Sequence, residues 1–138
     1  MGKYEILPHI SDVRVKVSAE TLKELFEAAL TGMNSIIKND FDKSKTEAGL
    51  KEILNINSMN ISTLLVDFLS EILTLSHTHK ALFVIFSFLQ FNDNHLNAKL
   101  TGYKVDGFDE DIKAVTYTET EIIMNKENQY EAVIVMDI

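Results

Sequence analysis

The last residues of the chain bring two acidic groups together at the end of an apolar segment. Residues 130–138 are predicted to form a β-strand, and Asp137 interrupts its otherwise apolar second half. A chain that ends at Ile138 also places its α-carboxylate next to that aspartate. Two negative groups on an ordered element repel each other unless a cation or a basic partner lies between them. The pattern therefore predicts either such a site or a solvated strand end on which Ile138 only packs.

Two further pairs of residues have spacings that could support chemistry. Asp67 and Glu71 lie four residues apart in a helical pattern, so they could form an acid/base pair or simply a solvated face. His77 and His79 could chelate a metal, but they fall at the end of the same helix. Imidazoles in a last helical turn are favoured by the helix dipole, which explains them without a metal.

The composition excludes several classes of protein. The net charge is −8, which argues against nucleic-acid binding through a basic surface and favours a basic protein partner or metal ions. The chain has no cysteine, so it can form neither disulfides nor thiolate zinc sites. The longest apolar run, residues 81–89, is too short to span a membrane, and residues 1–138 are expected to form a single domain in the cytoplasm.

Hydrophobic periodicity predicts an α+β fold, a mostly antiparallel sheet with two helices packed on it. Ser18 is the expected N-cap of a helix over residues 19–38, and Asn60 or Ser62 should begin a second helix that ends near Ser76. Residues 81–91 are apolar on both alternating faces, which predicts a central strand covered on both sides. The predicted order is ββαβαββββ, with strands at residues 3–7, 12–17, 50–57, 81–91, 96–101, 113–124 and 130–138.

Three segments, read in this order, resemble the archease family. They are Tyr4-Glu-Ile-Leu-Pro-His-Ile-Ser-Asp-Val13, Lys113-Ala-Val-Thr-Tyr117 and Val135-Met-Asp-Ile138. The resemblance extends over essentially the whole chain. Archeases are small proteins that assist the tRNA-splicing RNA ligase, which joins RNA ends carrying a 2′,3′-cyclic phosphate or a 3′-phosphate. The resemblance thus implies an accessory protein rather than an enzyme, with the ligase as its partner and RNA reached only through that ligase.

The resemblance also implies a divalent-cation site formed by Asp12, Asp137 and Ile138, a group called here the acidic tip. Its oxygen donors suit Ca²⁺ best, with Mg²⁺ or Mn²⁺ as alternatives, rather than zinc. Because Ca²⁺ takes about six to eight oxygen ligands, waters or groups of the partner would have to complete the shell. By the same resemblance, Lys113 and His9 are expected to contribute to ligase activation.

Other residues of the matched segments are weaker candidates. Asp67 and Glu71 lie in the second family helix, where Phe68 replaces the usual tryptophan, a packing change. Tyr117 is expected to be packed in the core rather than reactive, and Thr118 replaces the histidine that usually follows it.

Two other functional classes stay open. A metal-dependent phosphoester hydrolase could use Asp12, Asp137, His9 and Asp67, although it would need an activated water and more ligands. A chaperone or adaptor would act without any metal.

Overall fold

The computed structural model describes residues 2–7, 12–42 and 48–138. Within these ranges the chain forms eight strands and two helices. The predicted turn at residues 8–11, including His9, lies outside them. The elements are β1 (Lys3–Leu7), β2 (Asp12–Ala19), α1 (Leu22–Ile37), β3 (Ala48–Asn57), α2 (Ile61–His79), β4 (Ala81–Phe91), β5 (His95–Lys104), β6 (Ala114–Thr116), β7 (Ile123–Met124) and β8 (Tyr130–Asp137).

The strands form two antiparallel sheets, and this confirms the predicted α+β class. One sheet has the order β1-β2-β8-β6, with β7 also paired to β8, and the other has the order β3-β5-β4. The predicted single strand over residues 113–124 is in fact β6 and β7. Glu119, with a φ of 62°, interrupts it in a tight turn where the Glu121 N–H donates to the Glu119 carbonyl.

Helix α1 begins later than predicted, because strand β2 continues through Ala19. Ser18 is therefore not the N-cap; it is a buried strand residue paired with Lys3 and Glu131 in the neighbouring strands. The N-cap is Thr21, whose hydroxyl oxygen accepts a hydrogen bond from the Glu24 N–H at 3.2 Å. Such a cap satisfies one of the free N–H groups of the first turn.

Helix α2 begins where the sequence predicts and ends three residues later. The Asn60 side chain caps it by accepting a hydrogen bond from the Thr63 N–H at 2.9 Å. The helix continues past Ser76 to His79, and Lys80 ends it in the left-handed conformation. Neither helix in the described part of the chain has the length and apolar character needed to cross a bilayer.

The expectation for β4 is wrong in one respect, since this strand lies at an edge of the three-stranded sheet and only one of its faces is covered. Phe88 and Phe91 pack edge-on against Phe26 of α1, with ring centroids 6.4 and 5.0 Å apart. On the opposite face Ile85 and Leu89 stay 41% and 53% exposed. Apolar residues on both faces thus do not mean burial on both faces here.

Both helices contact both sheets and enclose the core between them. Helix α1 packs on β1, β2 and β8 and also on β4, while α2 packs on β3, β4 and β5 and also on β6. Phe68 is fully buried 5.4 Å from Phe26, as measured between ring centroids, which agrees with a packing role. The five-stranded sheet carries its functional candidates at the end of β8, away from this aromatic cluster.

Candidate functional site at the end of strand β8

The antiparallel ladder between β2 and β8 brings Asp12 and Asp137 directly opposite each other. Asp12 is the first residue of β2 and Asp137 is the last residue of β8, so the pair stands at the end of the sheet. The register is fixed by the apolar residues that follow, because Val13 and Val15 pair with Met136 and Ile134 and all four are buried. Side chains of directly opposed residues lie on the same face, about 5 Å apart at Cβ.

The two carboxylates have no basic partner among the described residues. Asp12 is half-buried and Asp137 is exposed, and neither makes an ion pair or a side-chain hydrogen bond there. The two basic residues that follow Asp12 on the same face of β2 are paired elsewhere. Arg14 binds Glu119 at 2.7 Å, and the Lys16 Nζ lies 3.8 Å from Glu131. The two like charges of the acidic tip are therefore not compensated by the basic residues of β2.

Lys113 is tied to the acidic tip through its backbone. Its N–H donates to the Asp137 carbonyl at 2.8 Å, and the next residue, Ala114, pairs with Asp137 in the ladder between β6 and β8. The Lys113 side chain is exposed and makes no ion pair with either aspartate. Ile138 is half-buried against the hydrophobic core, so packing holds the residue that follows Asp137.

The described residues contain no group of three or more His, Asp or Glu side chains placed to hold a metal ion. Asp67 is therefore not grouped with Asp12 and Asp137, and His9 lies outside the described ranges. The acidic tip would supply two side-chain carboxylates, with Ile138 as the remaining donor named by the resemblance. Carboxylate oxygens are a donor set that suits a hard divalent cation, and such a cation would offset the repulsion between the two aspartates.

Asp67 is the centre of a separate polar cluster on helix α2. Its carboxylate accepts hydrogen bonds from the Ser58 hydroxyl at 2.5 Å and from the Tyr117 hydroxyl. The expectation that Tyr117 is packed in the core is wrong, because this side chain is 60% exposed and only its hydroxyl is anchored. That hydrogen bond to Asp67, together with partial desolvation and the negative charge of Asp67, raises the pKa of Tyr117 above its usual value.

The cluster joins α2 to the segment that follows β6. Besides the contact between Tyr117 and Asp67, the Ile122 N–H donates to the Ser62 hydroxyl at 3.0 Å. Glu71, one turn beyond Asp67, is exposed and takes no part. Sequence reasoning selected Asp67 and Tyr117 but not Ser58 or Ser62. No local pattern distinguishes these two serines, because their partners are 9 and 60 residues away in the chain.

The two histidines of α2 do not form a metal-chelating pair. The His77 Nε2 lies 3.7 Å from Asp111, and its ring is tilted against the ring of Phe108 at a centroid distance of 5.8 Å. The His79 Nε2 instead lies 3.3 Å from Glu52 of strand β3. Residues two apart in a helix point in different directions, which explains the different partners.

Comparison with known proteins decides the family. Residues 4–138 match the model of the Archease protein family. This chain belongs to the archease family. The archease of Methanosarcina mazei is 33% identical over 145 residues, which cover 99% of this chain and 96% of that protein.

Solved structures agree with the archease fold. The solution structure of Methanobacterium thermoautotrophicum protein 1598 superposes with a TM-score of 0.76 at 24% identity and covers 98% of each chain. The crystal structure of an archease and possible chaperone from Thermotoga maritima gives a TM-score of 0.66 at 13% identity, covering 96% of this chain and 94% of that one. At these identities the two structures establish the fold and nothing finer.

Proposed function

We propose that this chain is an accessory protein that activates a tRNA-splicing RNA ligase through the acidic tip. The ligase would join RNA ends that carry a 3′-phosphate or a 2′,3′-cyclic phosphate, and this chain would promote its guanylylation and repeated turnover. Membership of the archease family supports the proposal. The observation that carries it is the uncompensated pair Asp12 and Asp137, held opposite each other at an exposed sheet end.

The acidic tip would hold a divalent cation, with Ca²⁺ preferred to Mg²⁺ or Mn²⁺. Asp12, Asp137 and Ile138 would be its ligands, and oxygen donors without nitrogen or sulfur favour a hard cation. When bound, the cation would supply positive charge that links these carboxylates to acidic or phosphate groups of the partner. The tip can present ligands to another protein because Asp137 is exposed at the end of the sheet rather than enclosed.

The remaining roles belong to residues that position the tip or contact the partner. The hydrogen bond from the Lys113 N–H to the Asp137 carbonyl fixes the backbone of the strand end. The free Lys113 ammonium group would then bind a carboxylate of the ligase or a phosphate of its RNA. His9, named by the resemblance, would contribute to ligase activation. The chain would form no covalent intermediate, and RNA would be contacted only within the complex with the ligase.

A ligase assay tests this proposal. The ligase of the same genome would join RNA carrying a 3′-phosphate under multiple-turnover conditions, with and without the wild-type chain. Asp12→Ala, Asp137→Ala and Lys113→Ala would be run beside Asp93→Ala, a matched control in the exposed turn after β4. Circular dichroism would verify that every variant is folded.

We expect activation by the wild type and by the control, and its loss in both variants of the aspartate pair. A folded Asp137→Ala protein that still activates the ligase would refute the role of the tip. No activation by the wild type would refute the accessory function itself. Turnover of a model phosphoester by this chain alone would instead favour the hydrolase.

A further inference from the structure

The outward face of the three-stranded sheet, opposite to the helices, differs in charge from the rest of the chain. Residues on this face, called here the lysine face, alternate with the buried core residues of β3, β4 and β5. They are Lys51, Ile53, Asn55, Asn57, Ile85, Ser87, Leu89, Gln90, His95, Asn97, Lys99 and Thr101. No acidic side chain stands among them, although the chain has 21 acidic and only 13 basic residues.

The lysine face is concave and partly apolar. A groove of about 710 Å³ crosses its three strands, with Ile53 on one side and Ile85 on the other. Glu52 also lines the groove, but its carboxylate lies 3.3 Å from His79 of helix α2, on the helix side of the sheet. The side chains of Ile53 and Ile85 are 65% and 41% exposed, and they lie on the two edge strands of the sheet, β3 and β4. Lys99 occupies the middle strand, paired in register with Ile53 and Ser87.

The two ammonium groups of the face have no carboxylate partner in the described part of the chain. The Lys51 Nζ donates to the Thr101 hydroxyl at 3.1 Å, which holds this side chain along the sheet surface. Lys99 is exposed and unpaired there. The face therefore offers two positive charges beside exposed apolar side chains, and its complement is an acidic surface with an apolar stripe.

We infer that the lysine face binds an acidic amphipathic helix of a partner protein. Adjacent strands lie about 4.8 Å apart, so the two outer strands are separated by about 10 Å, close to the diameter of one α-helix. Ile53 and Ile85 lie on a diagonal of the face, with Lys99 on one side of that diagonal and Lys51 on the other. The apolar stripe of such a helix contacts the two isoleucines, and carboxylates on its two flanks pair with the two lysines. This inference does not depend on the proposed ligase activation, because the acidic tip belongs to the other sheet.

Two other occupants fit the face less well. A second copy of this chain packed symmetrically on it would bring the same lysines against each other, which is repulsive. A nucleic acid needs more than two cationic contacts and benefits from exposed aromatic side chains on which bases stack. Tyr103, which continues the alternation of Lys99 and Thr101 on β5, is buried beside Phe41 and offers no such surface.

Peptide binding with exchanged charges tests the inference. The probe is a fluorescein-labelled helical peptide of about 18 residues, about 27 Å long, with a leucine stripe flanked by glutamates. A second peptide carries lysines in place of the glutamates, and binding is followed by fluorescence anisotropy. The proteins are the wild type, Lys51→Glu/Lys99→Glu, Ile53→Asp, and the control Lys23→Glu/Lys126→Glu, which makes the same charge change at exposed sites outside the face.

We expect the wild type and the control to bind the glutamate peptide about tenfold or more tightly than the lysine peptide. Lys51→Glu/Lys99→Glu should reverse that preference, and Ile53→Asp should weaken binding of the glutamate peptide about tenfold. Absence of a preference in the wild type, or the same preference in Lys51→Glu/Lys99→Glu, would overturn the inference. Two other results would also overturn it. One is that the wild type binds a labelled RNA oligonucleotide more tightly than the glutamate peptide and that Lys51→Glu/Lys99→Glu loses this RNA binding. The other is a dimer in analytical ultracentrifugation that Ile53→Asp abolishes.

Discussion

Replacing Asp137 with asparagine should change stability in opposite directions with and without calcium. The substitution keeps the size of the side chain and removes one of two like charges on directly opposed residues. At about 5 Å in water this repulsion is about 0.8 kcal/mol, and salt reduces it further. In EDTA the variant should therefore be more stable than the wild type by about 0.5 kcal/mol, or about 2 °C in melting temperature.

Calcium should reverse this order. At a free calcium concentration of about 100 times the dissociation constant, a cation bound by both aspartates stabilises the native wild type by about 2.7 kcal/mol. This raises its melting temperature by about 10 °C. Asp137→Asn lacks one charged ligand and should gain much less. The assay is thermal unfolding followed by circular dichroism in EDTA and across a calcium titration.

The matched control for this experiment is Asp93→Asn, which removes an exposed carboxylate from the turn after β4. It should respond to calcium like the wild type. Equal stabilisation of wild type and Asp137→Asn by calcium would refute a cation at the acidic tip. A variant less stable than the wild type in EDTA would refute the argument from repulsion.

Three further predictions concern other parts of the molecule. Thr21→Ala should lower the free energy of unfolding by about 1 kcal/mol in urea titrations, whereas Ser18→Ala should lower it less, because only Thr21 caps α1. Gly102→Ala should cost about 1–3 kcal/mol in the same titrations, because its Cβ would lie 2.6 Å from the buried Phe83 ring. The hydrogen bond to Asp67 raises the pKa of Tyr117, so the stability it contributes is complete below the usual tyrosine pKa near 10. That stability is lost as the pH rises through the pKa of the folded state. Tyr117→Phe should therefore show a smaller alkaline fall in melting temperature than the wild type.

Local patterns predicted most elements because the segments carry their own signals. The apolar residues of α2 repeat every three or four positions directly after the Asn60 cap, and both the helix and its cap are confirmed. The N-cap of α1 was misplaced because Ser18 also satisfies the local pattern. Ser18 belongs to strand β2 because it pairs with Glu131, which lies more than a hundred residues later in the chain. The exposed face of β4 was missed for a similar reason, since edge position depends on which strands pair with which.

The residue types of the candidate site can be predicted from the sequence, but their positions relative to one another depend on long-range strand pairing. That Asp137 carries a charge beside an apolar strand is evident from the sequence, but its position opposite Asp12 follows only from the β2–β8 register. The sequence predicts Tyr117 in the core. In the structure the chain turns at Glu119, which leaves the ring exposed and only its hydroxyl bound to Asp67. Neither contact has a signature within a short window of sequence.

The position of β8 in its sheet explains how an acidic group can be ordered at the end of a strand. Terminal strand residues usually fray, but β8 is flanked by β2 on one side and by β6 on the other, and both ladders reach Asp137. A shift of either ladder by one residue would turn the buried Ile134 and Met136 toward the opposite face. The energy of core packing therefore keeps Asp12 and Asp137 opposed against their own repulsion, which leaves that repulsion available to favour a cation or a basic partner.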